Sequence, residues 1–155
     1  MSNTLEATEN LGPIKLPRQA YMFRIQEEPK YEISNRSKQP MLVFQVEMVT
    51  PTIEIEGKVR DIAQLKMKMY CTLTKGKTFQ LENLHRAADL PNLSGVQFNN
   101  ESGLPENITY TGLEFPAYAQ SEEQDQIGGD KKPILHPKTG EPLKSFQHRV
   151  GNIIV

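Results

Sequence analysis

The sequence has one cysteine, Cys71, only short apolar runs, and no surplus of charge of either sign. A lone cysteine excludes an internal disulfide framework and fits a reducing compartment, so the cytoplasm is the expected location. Runs such as Met41–Phe44 are far too short to cross a bilayer as a helix. Met1–Gly12 is polar and lacks the charged-then-apolar layout of a secretion signal. The balance of 18 Lys plus Arg against 19 Asp plus Glu gives −1, which at first sight argues against a nucleic-acid partner. What is present, 37% hydrophobic and 24% charged residues in 155, describes one ordinary globular domain with a real core.

The total charge conceals blocks. Lys58 to Lys77 holds six cations against Asp61, Glu101 to Asp130 holds seven anions and no cation, and Lys131 to Arg149 holds five cations against Glu141. Local potential rather than the total steers a charged partner. The bland reading is that these blocks neutralise each other across the surface.

Residues 1–18 read as a flexible N-terminal arm closed by Gly12, Pro13 and Pro17, and 19–155 as a single domain. Long loops are expected near 91–107 and 121–142, where Gly, Pro, Asn and Ser concentrate. Between them the apolar pattern has period two. Tyr21–Ile25, Leu42–Met48 and Leu65–Leu73 alternate cleanly, Leu113 and Phe115 start a strand toward Tyr118, and Phe146–Val155 makes a fifth. Val59, Ile62, Leu65 and Met69 would also suit a helix, but Tyr70-Cys71-Thr72 favours a strand. One helix is expected, with Thr78 as N-cap, Leu81, Leu84, His85 and Ala88 on one face, and Pro91 as terminator. The expected fold is therefore mainly β: a five-stranded OB-fold-like Greek-key barrel with its helix between strands three and four.

Catalytic and metal patterns fail on spacing. Gly76-Lys77-Thr78 resembles the end of a phosphate-binding loop, but the required first glycine is Cys71, inside a strand, so a basic turn before a helix is the better reading. His85, His136 and His148 are scattered and only one cysteine exists, which leaves no zinc set and no cofactor implied. Cys71 on an inward strand position is a small hydrophobe. Glu27-Glu28 and Glu122-Glu123 sit in polar surroundings that do not prepare a carboxylate for catalysis. The Asn-x-Ser/Thr triplets matter only in a secreted chain. The expectation is a non-enzyme.

What remains is a binding surface. If Leu65, Met67, Met69 and Cys71 face inward, then Lys66, Lys68 and Tyr70 share the outer face of one strand. Two cations two residues apart sit about 6.5–7 Å from each other along a strand, close to phosphate spacing in an extended single strand. Lysines for the backbone beside an aromatic ring for a base is the composition of a sequence-tolerant single-strand binder, although outward lysines also protect strands from aggregation. Lys58, Arg60, Lys75 and Lys77 extend that segment. Tyr31, Arg36 and Lys38 fall between the first two strands, and Lys131, Lys132 and Lys138 between the last two. Those two connections clamp ligands in OB-folds. His148 and Arg149 fall close to the same surface, with Phe146 read as core.

The sequence also resembles phage-encoded single-stranded DNA-binding proteins of the OB-fold type. The likeness lies in Ser37–Glu47 with Thr50-Pro51, in Leu81–Leu90, and in His136–Pro142 followed by Phe146–Val150. It implies coating of ssDNA in phage replication or recombination, in the host cytoplasm, with ssDNA, other replication or recombination proteins, or further copies of the chain as partners, and no membrane. The chain departs from many such proteins in ending on Val150–Val155 and not on an acidic tail; its acidic block is internal, at Glu122–Asp130. The competing expectation is a non-enzymatic virion, assembly or protein-interaction component built on the same fold.

Overall fold

A computed structural model describes residues 14–125, 128–129 and 131–155 of the chain. The fold is mainly β, 43% strand and 9% helix, built on an antiparallel sheet. In chain order the strands are β1 (Gln19–Ile25), β2 (Lys30–Ile33), β3 (Pro40–Met48), β4 (Thr52–Ile55), β5 (Lys58–Asp61), β6 (Lys66–Thr72), β7 (Glu114–Asp125) and β8 (Lys144–Ile153). Helix α1 (Phe79–Ala87) follows β6, and a 3-10 turn covers Leu93–Gly95.

β1 and β6 each bury one face, β3 buries one face and Val43 of the other, β7 buries Phe115, Ala117 and Ala119, and β8 buries Ile153. In β6, Met67, Met69 and Cys71 are buried while Lys66, Lys68 and Tyr70 are exposed. β1 does the same with Tyr21, Phe23 and Ile25, and β3 buries Leu42, Phe44, Val46 and Met48. These side chains meet at the centre, where Phe23 stacks on Phe115 at 5.8 Å and Phe44 meets Tyr110 edge-on at 5.2 Å. Each such burial contributes about 1.5–3 kcal/mol, enough to fix which face turns inward.

Two features of the expected barrel are corrected. The sheet has six strands, ordered β2-β3-β1-β7-β8 with β6 on the other side of β3, and a separate two-stranded ribbon joins β4 to β5. The helix therefore follows the sixth strand and not the third. The sheet also does not close. Its ends, β6 and β8, bring their Cα traces within 8 Å but form no strand pair among the described residues. An open gap separates the two edges.

The three unexpected strands explain the miscount. β2 is exposed along its whole length and owes its conformation to pairing with β3, Tyr31 opposite Leu42. β4 and β5 turn through Glu56 and Gly57, both at positive φ (51° and 79°), the geometry of a tight hairpin turn. Val59 and Met69 thus lie on strands, which settles the helical alternative against a helix.

Smaller expectations change as well. Residues 121–125 continue β7, so the last long connection starts beyond them. Thr78 stands at the start of α1 but makes no capping bond; its hydroxyl reaches Glu82 at 3.3 Å. Of the arm expected over 1–18, residues 1–13 lie outside the described residues, and within 14–18 Leu16 is buried, its N–H donating to Ser121 Oγ at 2.7 Å.

Helix α1 seals the inner face with Leu81, Leu84 and His85. Burial holds His85 below the usual histidine range, so the ring is neutral. Its Nδ1 lies 2.7 Å from the Pro91 carbonyl oxygen and its Nε2 2.7 Å from the Tyr110 hydroxyl. A carbonyl only accepts, so Nδ1 carries the proton and Nε2 accepts from Tyr110. The Glu28 carboxylate in turn accepts from the N–H groups of Tyr110 and Thr111, at 2.9 and 2.7 Å, which gives Glu28 a structural task. Gln80 ties α1 to β8 by donating to the Gly151 carbonyl at 2.7 Å and accepting from Ile153 N–H at 3.3 Å.

Candidate nucleic-acid interface

The outer face of the sheet is built from cross-strand rows. In one, Glu114, Arg24, Glu47 and Lys66 lie side by side across β7, β1, β3 and β6. Arg24 donates to Glu114 at 2.8 Å and to Glu47 at 3.4 Å, so this row is largely self-neutralised. The next cation on β6, Lys68, lies opposite Gln45, and Tyr70 lies opposite Val43. Register alone therefore separates the two lysines: Lys66 faces a carboxylate and Lys68 a neutral amide.

Lys68 and Tyr70 open into the gap between β6 and β8. A cleft of about 610 Å³ there is lined by Arg36, Lys68, Tyr70, Gln147, His148, Arg149 and Val150. Among the described residues its lining has three cations and no carboxylate, and the Tyr70 ring is 55% exposed. Arg36 arrives from the β2–β3 turn, which is held by Ser34 N–H to the Gln39 carbonyl and Lys38 N–H to the Ser34 carbonyl, both 2.9 Å. Lys38 takes a φ of 58° to complete that turn. Arg149 is fixed from β8 by Glu122, 3.0 Å from its Nε. His148 stands beside it, its Nδ1 2.6 Å from Ser121 Oγ, and burial lowers its pKa. Ser121 Oγ also accepts from the Leu16 N–H at 2.7 Å, so it links the start of the described chain to β8.

The other expected site residues go elsewhere. Tyr31 pairs with Leu42, an inward residue, so it lies on the opposite face of the sheet from Tyr70. Its ring packs on Gly103, where a Cβ would overlap it. There Tyr31 borders a larger cavity of about 890 Å³ with Phe98, Leu73, Leu81 and Lys75. That cavity carries Lys75 against Glu82 and Glu101, a poor balance for a polyanion. Lys58 and Arg60 lie on the β4–β5 ribbon, opposite Ile55 and Ile53, and Lys77 in the turn before α1. Lys131 and Lys132 belong to a turn in which Gly128 N–H donates to the Lys132 carbonyl at 3.0 Å. None of these lines the cleft.

The cleft thus unites Arg36, Lys68 and Tyr70 with His148 and Arg149 from the far end of the chain. Its arrangement suits an extended polyanion with flat groups: guanidinium and ammonium groups for phosphates, an exposed ring for a base. Among the described residues no group of three His, Cys, Asp or Glu is placed to hold a metal, and no helix is long and apolar enough to cross a membrane. Neither a family model nor a curated protein matches this chain.

Proposed function

We propose that the protein is a non-enzymatic, sequence-tolerant single-stranded DNA-binding protein that coats transient single strands in phage replication or recombination. The observation that carries this reading is the cleft between β6 and β8, with three cations, an exposed tyrosine and, among the described residues, no carboxylate in its lining. An OB-like layout belongs to the same proposal. The antiparallel path β6-β3-β1-β7-β8, with α1 between β6 and β7 and a gap between the path's ends, matches a partly open Greek-key barrel. On this reading β2 and the β4–β5 ribbon are additions to that plan.

The competing reading, a protein-interaction or assembly component, draws on the same two unpaired strand edges, which a partner strand could extend. What favours the nucleic-acid reading is the lining, in which Arg36, Lys68 and Arg149 suit phosphates and the exposed Tyr70 ring suits a base.

The test is a fluorescence-anisotropy titration of labelled oligo-dT and of duplex at low and at physiological salt. Tight oligo-dT binding that weakens steeply with salt, with much weaker duplex binding, supports the proposal. Absence of oligo-dT binding at low salt overturns it.

A further inference from the structure

Strands β7 and β8 do not run in simple register. Ala119 lies opposite Val150 and Ala117 opposite Ile153, so Tyr118 alone faces two residues, Gly151 and Asn152. This is a β-bulge on β8, one extra residue that bends the strand and re-aims its neighbours. Gly151 permits the close approach, since even a Cβ there would sit only 3.3 Å from the Tyr118 carbonyl oxygen. Gln80 holds the bulge from beneath by bonding Gly151 and Ile153. The extra residue is thus supported rather than loose.

Tyr118 stands on the outer face of the sheet, 41% exposed, with the Arg18 guanidinium 5.5 Å from its ring centroid. Around the pair is a second hollow of about 290 Å³, lined by Arg18, Tyr118, Ala119, Gln120, Arg149, Val150, Gly151 and Asn152. Arg149 and Val150 line both this hollow and the β6–β8 cleft. The two depressions are therefore neighbours across one strand, with Arg149 on their shared wall. The second repeats the chemistry of the first: an exposed tyrosine, an arginine of its own, and no carboxylate in the lining.

We propose that Tyr118 and Arg18 form a second base-stacking station for the same DNA strand, reached from the cleft over Arg149. The inference rests on the proposed single-strand binding and adds to it a direction of travel across β8 and a longer footprint. Arg149 takes the phosphate between the two stations. Arg18, which lies over one face of the Tyr118 ring, takes the next one, and the other face of the ring is offered to a base, a sequence-tolerant contact because every base has a flat face.

The chain contains no tryptophan, so Tyr118→Trp installs a single fluorescent reporter at an exposed position. Two oligo-dT lengths are compared, one of about five nucleotides that fills the cleft and one of about sixteen that overruns it. The expected result is quenching of the reporter by the long strand and little by the short one. Tyr118→Ala should weaken the long strand between about fivefold and 150-fold and leave the short one unchanged. Arg18→Ala should weaken the long strand selectively as well. If both lengths bind but the reporter is silent, or if Tyr118→Ala weakens both lengths equally, the second station is overturned and the cleft stands. If the wild-type chain binds neither length, the cleft reading itself has failed.

Discussion

The two lysines of β6 provide the sharpest test of the cleft, because sequence alone makes them equivalent and the sheet does not. Lys66 lies opposite Glu47, whereas Lys68 lies opposite Gln45 and lines the cleft with Arg36 and Arg149. Binding of a single strand releases about 0.7 of a counterion for each phosphate neutralised. Three cleft cations then give a slope of about −2.1 in log affinity against log salt, and raising salt from about 50 to about 200 mM weakens binding roughly 18-fold. Lys68→Ala leaves two contacts, a slope of about −1.4 and a loss of roughly sevenfold over the same range. Lys66→Ala should leave the slope unchanged, since Lys66 does not line the cleft. The assay is the anisotropy titration repeated at several salt concentrations, using an oligonucleotide short enough to fill only the cleft. Equal changes of slope for the two variants would refute the placement of the DNA, and a flat wild-type slope would refute phosphate recognition altogether.

Two further predictions concern the scaffold. Tyr110→Phe removes the hydroxyl that donates to His85 Nε2 and leaves a buried acceptor without a donor, while the ring contact with Phe44 remains. The expected loss is about 1–3 kcal/mol, read as a lower urea midpoint with an unchanged slope. Stability should also fall on acidification below about 6.5, the histidine value in the unfolded chain. Burial holds both His85 and His148 lower in the fold, so within that window the unfolded chain binds more protons and acid favours it. The full contribution is present above about 6.5 and is lost as pH drops through the lower folded-state values. Urea midpoints at several pH values check this, and a midpoint that rises on acidification in that window would contradict it.

How far the sequence revealed this architecture depends on burial. β1, β3 and β6 announce themselves because alternate residues, from Tyr21 to Cys71, vanish into one core. β2 has no buried residue, so no period marks it, and only its partner β3 makes it a strand. The β4–β5 ribbon buries only Ile53, and its turn uses Glu56 at positive φ, where asparagine or glycine would have been the recognisable signal. The outward face of Lys66, Lys68 and Tyr70 was legible from alternation. Arg36, His148 and Arg149 were expected near that surface from the strand layout, but that Arg36 and Arg149 border one cleft with Lys68 was not, because the β6–β8 gap exists only once the sheet has curled. Tyr118 escaped notice for a similar reason: its station depends on a bulge that no local pattern records.

Charge placement ties these observations together. Two carboxylates of the acidic stretch are paired within the sheet, Glu114 with Arg24 and Glu122 with Arg149. Those exposed pairs contribute little to stability, and a phosphate can compete with Glu122 for Arg149. The Arg24–Glu114 and Arg24–Glu47 pairs quiet the centre of the outer face, and in the β6–β8 cleft Arg36 and Lys68 stand beside an Arg149 that Glu122 already holds. Arg36 comes from one end of the sheet path and Arg149 from the other, so this local field requires the folded arrangement. On the proposed reading, a chain of formal charge −1 holds a polyanion along one line, over the β6–β8 cleft and the neighbouring Arg18–Tyr118 hollow. That is why the salt slope expected for it corresponds to a few phosphates and not to its full complement of lysines and arginines.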